Sequence, residues 1–162
     1  MWKRNRILLA PVCFFLGLLI GQGLIISFEN AVFHPWTWGE DGEPIIANCY
    51  GEDFNEAYIK RAVEYWETKA GEKIGFIEQN PPAEVCSHQM LDGFIILRKS
   101  HGLESGTIAS TKRKTSLGKI RAAEIRFSPG SFKLDLILEH ELGHAFGYQH
   151  VDEKEHIMYP TY

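Results

Sequence analysis

Three histidines and a glutamate fall within eleven residues, in the run His140-Glu141-Leu142-Gly143-His144-Ala145-Phe146-Gly147-Tyr148-Gln149-His150. On a helix, four residues turn the chain by about 400°, so His140 and His144 project from one face about one turn apart. Both imidazoles can then approach a single tetrahedral ion at about 2.0–2.1 Å. Glu141 lies off that line, close enough to hold a water beside the metal without binding the metal itself. Gly147 is a helix stop, because glycine takes the left-handed backbone that a sharp reversal needs. The reversal can return His150 as a third ligand. Three neutral imidazoles leave one position of a zinc ion open, the layout of a catalytic rather than a closed structural site. Zn2+ placed there would polarise a carbonyl and acidify water. Glu141 would be the general base, taking a proton and returning it to the leaving group. Histidines that merely satisfy hydrogen bonds are the bland alternative, but five fixed identities across eleven positions rarely arise by chance.

The motif must be carried by a helix, and the pattern predicts one over Phe132 to Phe146 after the turn Ser128-Pro129-Gly130-Ser131. An earlier helix is predicted from Asp53 to Ala70, where Phe54, Ala57, Tyr58, Ala62, Tyr65 and Trp66 recur at three- and four-residue spacing. Strand-like runs occupy Glu43 to Cys49, Ile74 to Glu78, Phe94 to Arg98, Gly106 to Ser110 and Ala122 to Phe127. In the last, Ala123-Glu124-Ile125-Arg126-Phe127 alternates apolar and polar, which predicts a half-exposed strand near a sheet edge. Lys112-Arg113-Lys114 reads as a solvated loop. Strands first, one helix among them and a last helix holding the chemistry predict a small α+β domain.

The pattern His-Glu-x-x-His-x-x-Gly-x-x-His is that of the metzincins, and the chain resembles this clan of zinc endopeptidases. The segment His156-Ile157-Met158-Tyr159-Pro160-Thr161-Tyr162 resembles the Met-turn and specificity segment of the matrixins, peptidase family M10. Astacins and serralysins place tyrosine two positions beyond the methionine, where this chain has Pro160. The resemblance implies that Met158 forms a hydrophobic floor under the zinc site. It also implies that Pro160 and Tyr162 line the substrate pocket for the residue after the scissile bond. More loosely, Ala62 to Trp66 is similar to the family's first helix, and Ala123 to Phe127 to the edge strand that pairs with substrate. At the level of the fold, the resemblance implies a metzincin-like domain over residues 44–162, with a mixed twisted sheet and two main helices. It would hold one catalytic Zn2+ and hydrolyse a protein or peptide substrate. The family's Pro-Arg-Cys-Gly latency sequence has no counterpart here. The stretch Lys99 to Gly118, where matrixins bind a second zinc, offers only His101 and no Asp. Matrixins also continue into a further helix beyond the position of Tyr162. His34, His88, His101 and His156 are read as surface or hydrogen-bonded histidines. A non-proteolytic, zinc-stabilised binding domain is the alternative, and Glu141 argues against it, since a structural site has no use for a base.

Residues 1–28 differ from the rest. Lys3, Arg4 and Arg6 precede a run from Ile7 to Phe28 without a charge, long enough to cross roughly 30 Å of hydrocarbon as a transmembrane helix. An uncleaved signal anchor is the favoured reading and a cleaved signal peptide the competing one. Either puts everything after Phe28 outside the cytoplasm. Residues 29–43 then form a tether, whose Trp36 and Trp38 could lie at the membrane interface or pack on the domain. The first 28 residues hold three of the 17 basic residues and none of the 21 acids, leaving a net charge of −7 in the remainder. That balance excludes nucleic acid as a partner, since phosphates must be neutralised by Lys and Arg. In an oxidising compartment Cys49 and Cys86 are a candidate disulfide, with two free thiols as the alternative.

Overall fold

Residues 37–38 and 42–160 are described by the computed structural model. Among them are six strands: β1 (Thr37–Trp38), β2 (Ile45–Asn48), β3 (Phe76–Glu78), β4 (Phe94–Lys99), β5 (Ala109–Ser116) and β6 (Lys119–Phe127). Three α-helices accompany them: α1 (Glu56–Ala70), α2 (Ala83–Ser87) and α3 (Ile137–Ala145). The strands make one mixed sheet. β3, β2, β4 and β6 pair in parallel, β1 adds in parallel to the start of β6, and β5 alone is antiparallel, on the other side of β6. This is the expected mixed sheet with two main helices, to which α2 adds little more than one turn. The predicted membrane segment 1–28 lies outside the described residues, as do residues 29–36 of the tether. Among those described, no helix is long and apolar enough to cross a membrane.

Helix α1 starts where Asn55 accepts a hydrogen bond from the Ala57 N–H, and it buries Ile59, Ala62, Val63 and Trp66 on one stripe. Phe54, just before it, stacks on Phe132 at 4.5 Å, and Tyr50 and Phe127 close the same aromatic cluster. Cys49 and Cys86 are joined as a disulfide, 37 residues apart in sequence. Closing such a loop removes roughly 4 kcal/mol of unfolded-chain entropy in the chain-entropy picture. Trp38 is buried and its indole N–H donates to Ala145 O at 3.2 Å, so this tryptophan packs on the domain.

Three sequence expectations need correction. β6, containing Ala123 to Phe127, is not an edge: β4 and β5 flank it. Glu124 is 1% exposed, and its carboxylate is held by Arg98 at 2.9 Å and Arg126 at 2.6 Å. The polar residues of the alternation are therefore satisfied by one another rather than by water. The edge on that side of the sheet is β5, and Lys112-Arg113-Lys114 lies within it instead of in a loop. The β5–β6 hairpin turns through Leu117 (φ 51°) and Gly118 (φ 74°), two left-handed residues of the kind that tight hairpins require. Finally, the motif helix begins at Ile137, not Phe132. Ser131–Lys133 is a 3-10 turn that delivers Phe132 to the aromatic cluster, and Leu136 (φ 62°) redirects the chain before α3.

Candidate metal centre and cleft

Helix α3 is fixed at both ends. At its start Glu139 is buried; its backbone carbonyl accepts from the Trp66 indole at 2.6 Å, and its carboxylate takes the Arg61 guanidinium at 2.8 Å. At its end sits the Trp38 bond to Ala145. Between them Gly143 makes room for its neighbours: a Cβ there would collide with Met158 Sδ and come within 2.5 Å of the Trp66 ring. Met158 is fully buried. Its N–H donates to His156 Nδ1 at 3.0 Å and its carbonyl accepts from Val151 at 3.0 Å, which locks the turn beneath α3. Gly147 (φ 105°) provides the anticipated reversal after the helix.

The reversal brings the three imidazoles together. His140 Nδ1 faces Ile157 O at 2.7 Å and His144 Nδ1 faces Tyr148 O at 3.0 Å. A carbonyl only accepts, so each Nδ1 carries the proton and each Nε2 presents a bare lone pair. Those lone pairs converge. Nε2 of His144 is 3.1 Å from that of His140 and 3.0 Å from that of His150, and the third side is 3.3 Å. A tetrahedral ion with bonds of about 2.0–2.1 Å sets its ligands roughly 3.3 Å apart. The bare lone pairs of His140 and His144 repel at this distance unless a cation lies between them, and His150 Nε2 completes three sides of its site, so the set fits a metal ion. It is the one His, Cys, Asp or Glu cluster of three or more with this spacing among the described residues. Burial lowers the pKa of both helix histidines, that of His144 to about 4, against a smaller opposing effect of their carbonyl partners. Both are therefore neutral and ready to bind metal at neutral pH.

Glu141 is buried beside this cluster. Burial pushes its carboxyl up to about 7, partly offset by the Thr111 hydroxyl, which donates to its Oε2 at 2.5 Å. The same hydroxyl is 3.1 Å from the Glu141 backbone carbonyl. The cluster opens into a cleft of about 680 Å³. One wall is the edge of the sheet, Gly106 to Thr111 with Arg113, and the other includes Ile137, Gln149 and Pro160.

The matrixin family model, peptidase family M10, matches residues 36–162. The chain is a matrixin. Membership brings a zinc ion, and His140, His144 and His150 are placed to bind it. No curated protein matches this matrixin. Among solved structures it is similar to high choriolytic enzyme 1, a hatching enzyme zinc-protease of the medaka fish Oryzias latipes, at 16% identity and a TM-score of 0.36. That match covers 72% of this matrixin and 50% of the fish enzyme, so the chain spans about half its length.

Of the residues singled out in the sequence, Glu141, His144, His150 and Pro160 line the cleft, His140 joins His144 and His150 in the imidazole cluster, and Met158 lies under the helix. Tyr162 lies outside the described residues. His156 holds the turn backbone, while His88 and His101 are exposed. Sequence reasoning missed Thr111 and Arg113. The signal that could have found them is the Leu117-Gly118 turn between two polar β-prone runs, which marks a hairpin and makes Ala109 to Ser116 its outer strand.

Proposed function

We propose that this matrixin is a zinc-dependent endopeptidase that hydrolyses protein or peptide substrates, with Glu141 as general base. The observation that carries the reading is a buried carboxylate next to three convergent imidazole nitrogens, at a cleft walled by a strand edge. Zinc, when bound by His140, His144 and His150, supplies Lewis acidity toward the scissile carbonyl and the attacking water. Glu141 takes the proton from that water and delivers it to the leaving amine, work typically contributing 10²–10⁴-fold. Thr111 keeps the carboxyl in place through both states. Its single hydrogen serves the carboxylate when Glu141 is ionised; when Glu141 is protonated it turns to the Glu141 carbonyl and the hydroxyl oxygen accepts from the acid. The outer edge of β5 offers backbone groups to an extended peptide, which adds as a further strand. Pro160 lines the cleft, and the family resemblance assigns Pro160 and Tyr162 to the pocket for the residue after the scissile bond and Met158 to the floor beneath the metal.

Residues 7–28 anchor the protein in a membrane with residues 1–6 in the cytoplasm, residues 29–43 connect, and residues 44–162 act outside. The basic N-terminus and the uncharged run support this, as does the Cys49–Cys86 disulfide, a bond of oxidising compartments.

The test is cleavage of a quenched-peptide library by the zinc-loaded full chain in detergent, with and without chelator. Chelator-sensitive cleavage is expected. Glu141→Gln should keep one zinc per chain and lose at least about a hundredfold in kcat/KM. Zinc binding with no cleavage of any peptide would replace this reading with that of a binding domain.

A further inference from the structure

We propose that Arg113 is a specificity-determining residue, whose guanidinium receives a carboxylate side chain of the substrate in the positions just before the scissile bond. The inference rests on the endopeptidase reading and adds the chemistry of the preferred peptide.

Side chains alternate along a strand, so Thr111 and Arg113 share one face of β5, about 7 Å apart. Their partners on β6, Ile125 and Ala123, share the core with Leu138 and Leu142 of α3, and Thr111 bonds Glu141, so this is the face that turns toward α3. Thr111 touches the Glu141 carboxylate and therefore marks the reacting position. Arg113 lies one same-face step farther along and lines the cleft with Glu141 and His144.

Arg113 Nη1 is buried with no hydrogen-bond partner among the described residues; Arg98 Nε also lacks one but lies 2.9 Å from the Glu124 carboxylate. Three nearby cations have carboxylate partners. Lys114 is bonded to Asp92 at 2.8 Å, and Arg98 and Arg126 share Glu124. The Glu141 carboxylate is turned to Thr111. A buried guanidinium nitrogen without an acceptor costs free energy, and burial already pulls the Arg113 pKa below the ordinary guanidinium range. The planar fork of arginine fits a carboxylate through two parallel hydrogen bonds. A substrate strand lying on β5 would bring such a group past this nitrogen. Antiparallel addition has the stronger hydrogen-bond pattern. In that direction the residues preceding the scissile bond run toward the later part of β5, where Arg113 stands.

The experiment uses the zinc-loaded full chain and peptides blocked at both ends, so that the only carboxylate is the one placed. Glu, Gln or Lys is set at each of the two positions before the scissile bond. The expected kcat/KM for Glu exceeds that for Gln by about tenfold or more. Arg113→Gln should bring that ratio close to one, and Arg113→Glu should invert it in favour of Lys, which a misfolded variant cannot do. Anisotropy with the Glu141→Gln chain should show the Glu peptide binding more tightly than the Gln peptide by a similar factor. Cleavage with equal kcat/KM for Glu and Gln overturns the proposal, and a Glu preference confined to positions after the scissile bond overturns the assigned subsite. Preferential binding of the Glu peptide without cleavage of any peptide would remove the endopeptidase reading and leave the carboxylate site standing.

Discussion

At the residue scale, the glycine inside the motif does as much for the metal centre as its neighbours that carry the chemistry. A Cβ at position 143 meets Met158 Sδ and the Trp66 ring. Trp66 cannot give way, since its indole is bonded to Glu139 O at 2.6 Å and its ring is stacked on Tyr148 at 4.6 Å. The flexible thioether of Met158 must move instead. Next to it in the chain, Ile157 O fixes the tautomer of His140. Gly143→Ala should therefore lower stability by about 1–3 kcal/mol, as overpacking does. It should also weaken zinc binding, because the turn that orients His140 is displaced. Urea unfolding and a competitive zinc titration of the full chain measure the two effects. An unchanged zinc affinity would show that the Met158 turn does not control the ligand.

At the element scale, the position of α3 depends on α1 through a buried acid. Glu139 is 1% exposed, and among the described residues its Oε2 has no hydrogen-bond partner, so Arg61 is the group that compensates its charge. Removing one partner of a fully buried pair costs about 3–5 kcal/mol. Arg61 is half exposed, so solvent screening reduces the expected cost of Arg61→Ala to about 2 kcal/mol. Adding Glu139→Gln should recover most of it, since an amide needs no counter-charge. A double-mutant cycle by urea unfolding reads the coupling, and additive losses would show that the ion pair does not join the helices. Neither this pair nor the strand order was legible in the sequence, for a common physical reason. Periodicity treats a polar residue as one that faces water, and it holds for α1, where the polar stripe is exposed. It fails for Glu124 in β6 and Glu139 in α3, which are buried against arginines distant in sequence. It fails in the opposite sense at Leu134 and Leu136, 49% and 47% exposed, which made the motif helix look longer than it is. The metal ligands were legible because helix geometry and one glycine reversal determine them locally. The cleft wall was not, because β5 is polar on both faces and only the Leu117-Gly118 turn betrays it.

At the scale of the whole molecule, the metal-free chain carries two buried groups whose proton linkages oppose one another. The carboxyl of Glu141 is raised from 4.5 to about 7, so the folded state holds its proton where the unfolded state has lost it. Stability from this group is present below pH 4.5 and is lost as pH rises toward 7. His144 is lowered from 6.5 to about 4, so the unfolded state binds the extra proton, and its contribution is present above 6.5 and lost as pH falls toward 4. Burial lowers the pKa of His140 too, which acts in the same sense as His144. Between about pH 4.5 and 6.5 the acid opposes the two imidazoles, so the stability of the chelated chain should rise there less steeply than the imidazoles alone would make it. Glu141→Gln removes one side of the balance. Its stability should rise through this window, match that of the unmodified chain near pH 4, and exceed it by about 3 kcal/mol above pH 7. Zinc should narrow that gap. A cation among the imidazoles also favours an ionised neighbour, so the metal-loaded unmodified chain gains more from zinc above pH 7 than Glu141→Gln does. Urea unfolding from pH 4 to 8, with chelator and with zinc, provides both comparisons. A chelated difference that stays constant across that range would mean that the Glu141 carboxyl is not buried in the folded chain, and the general base would have to be sought elsewhere.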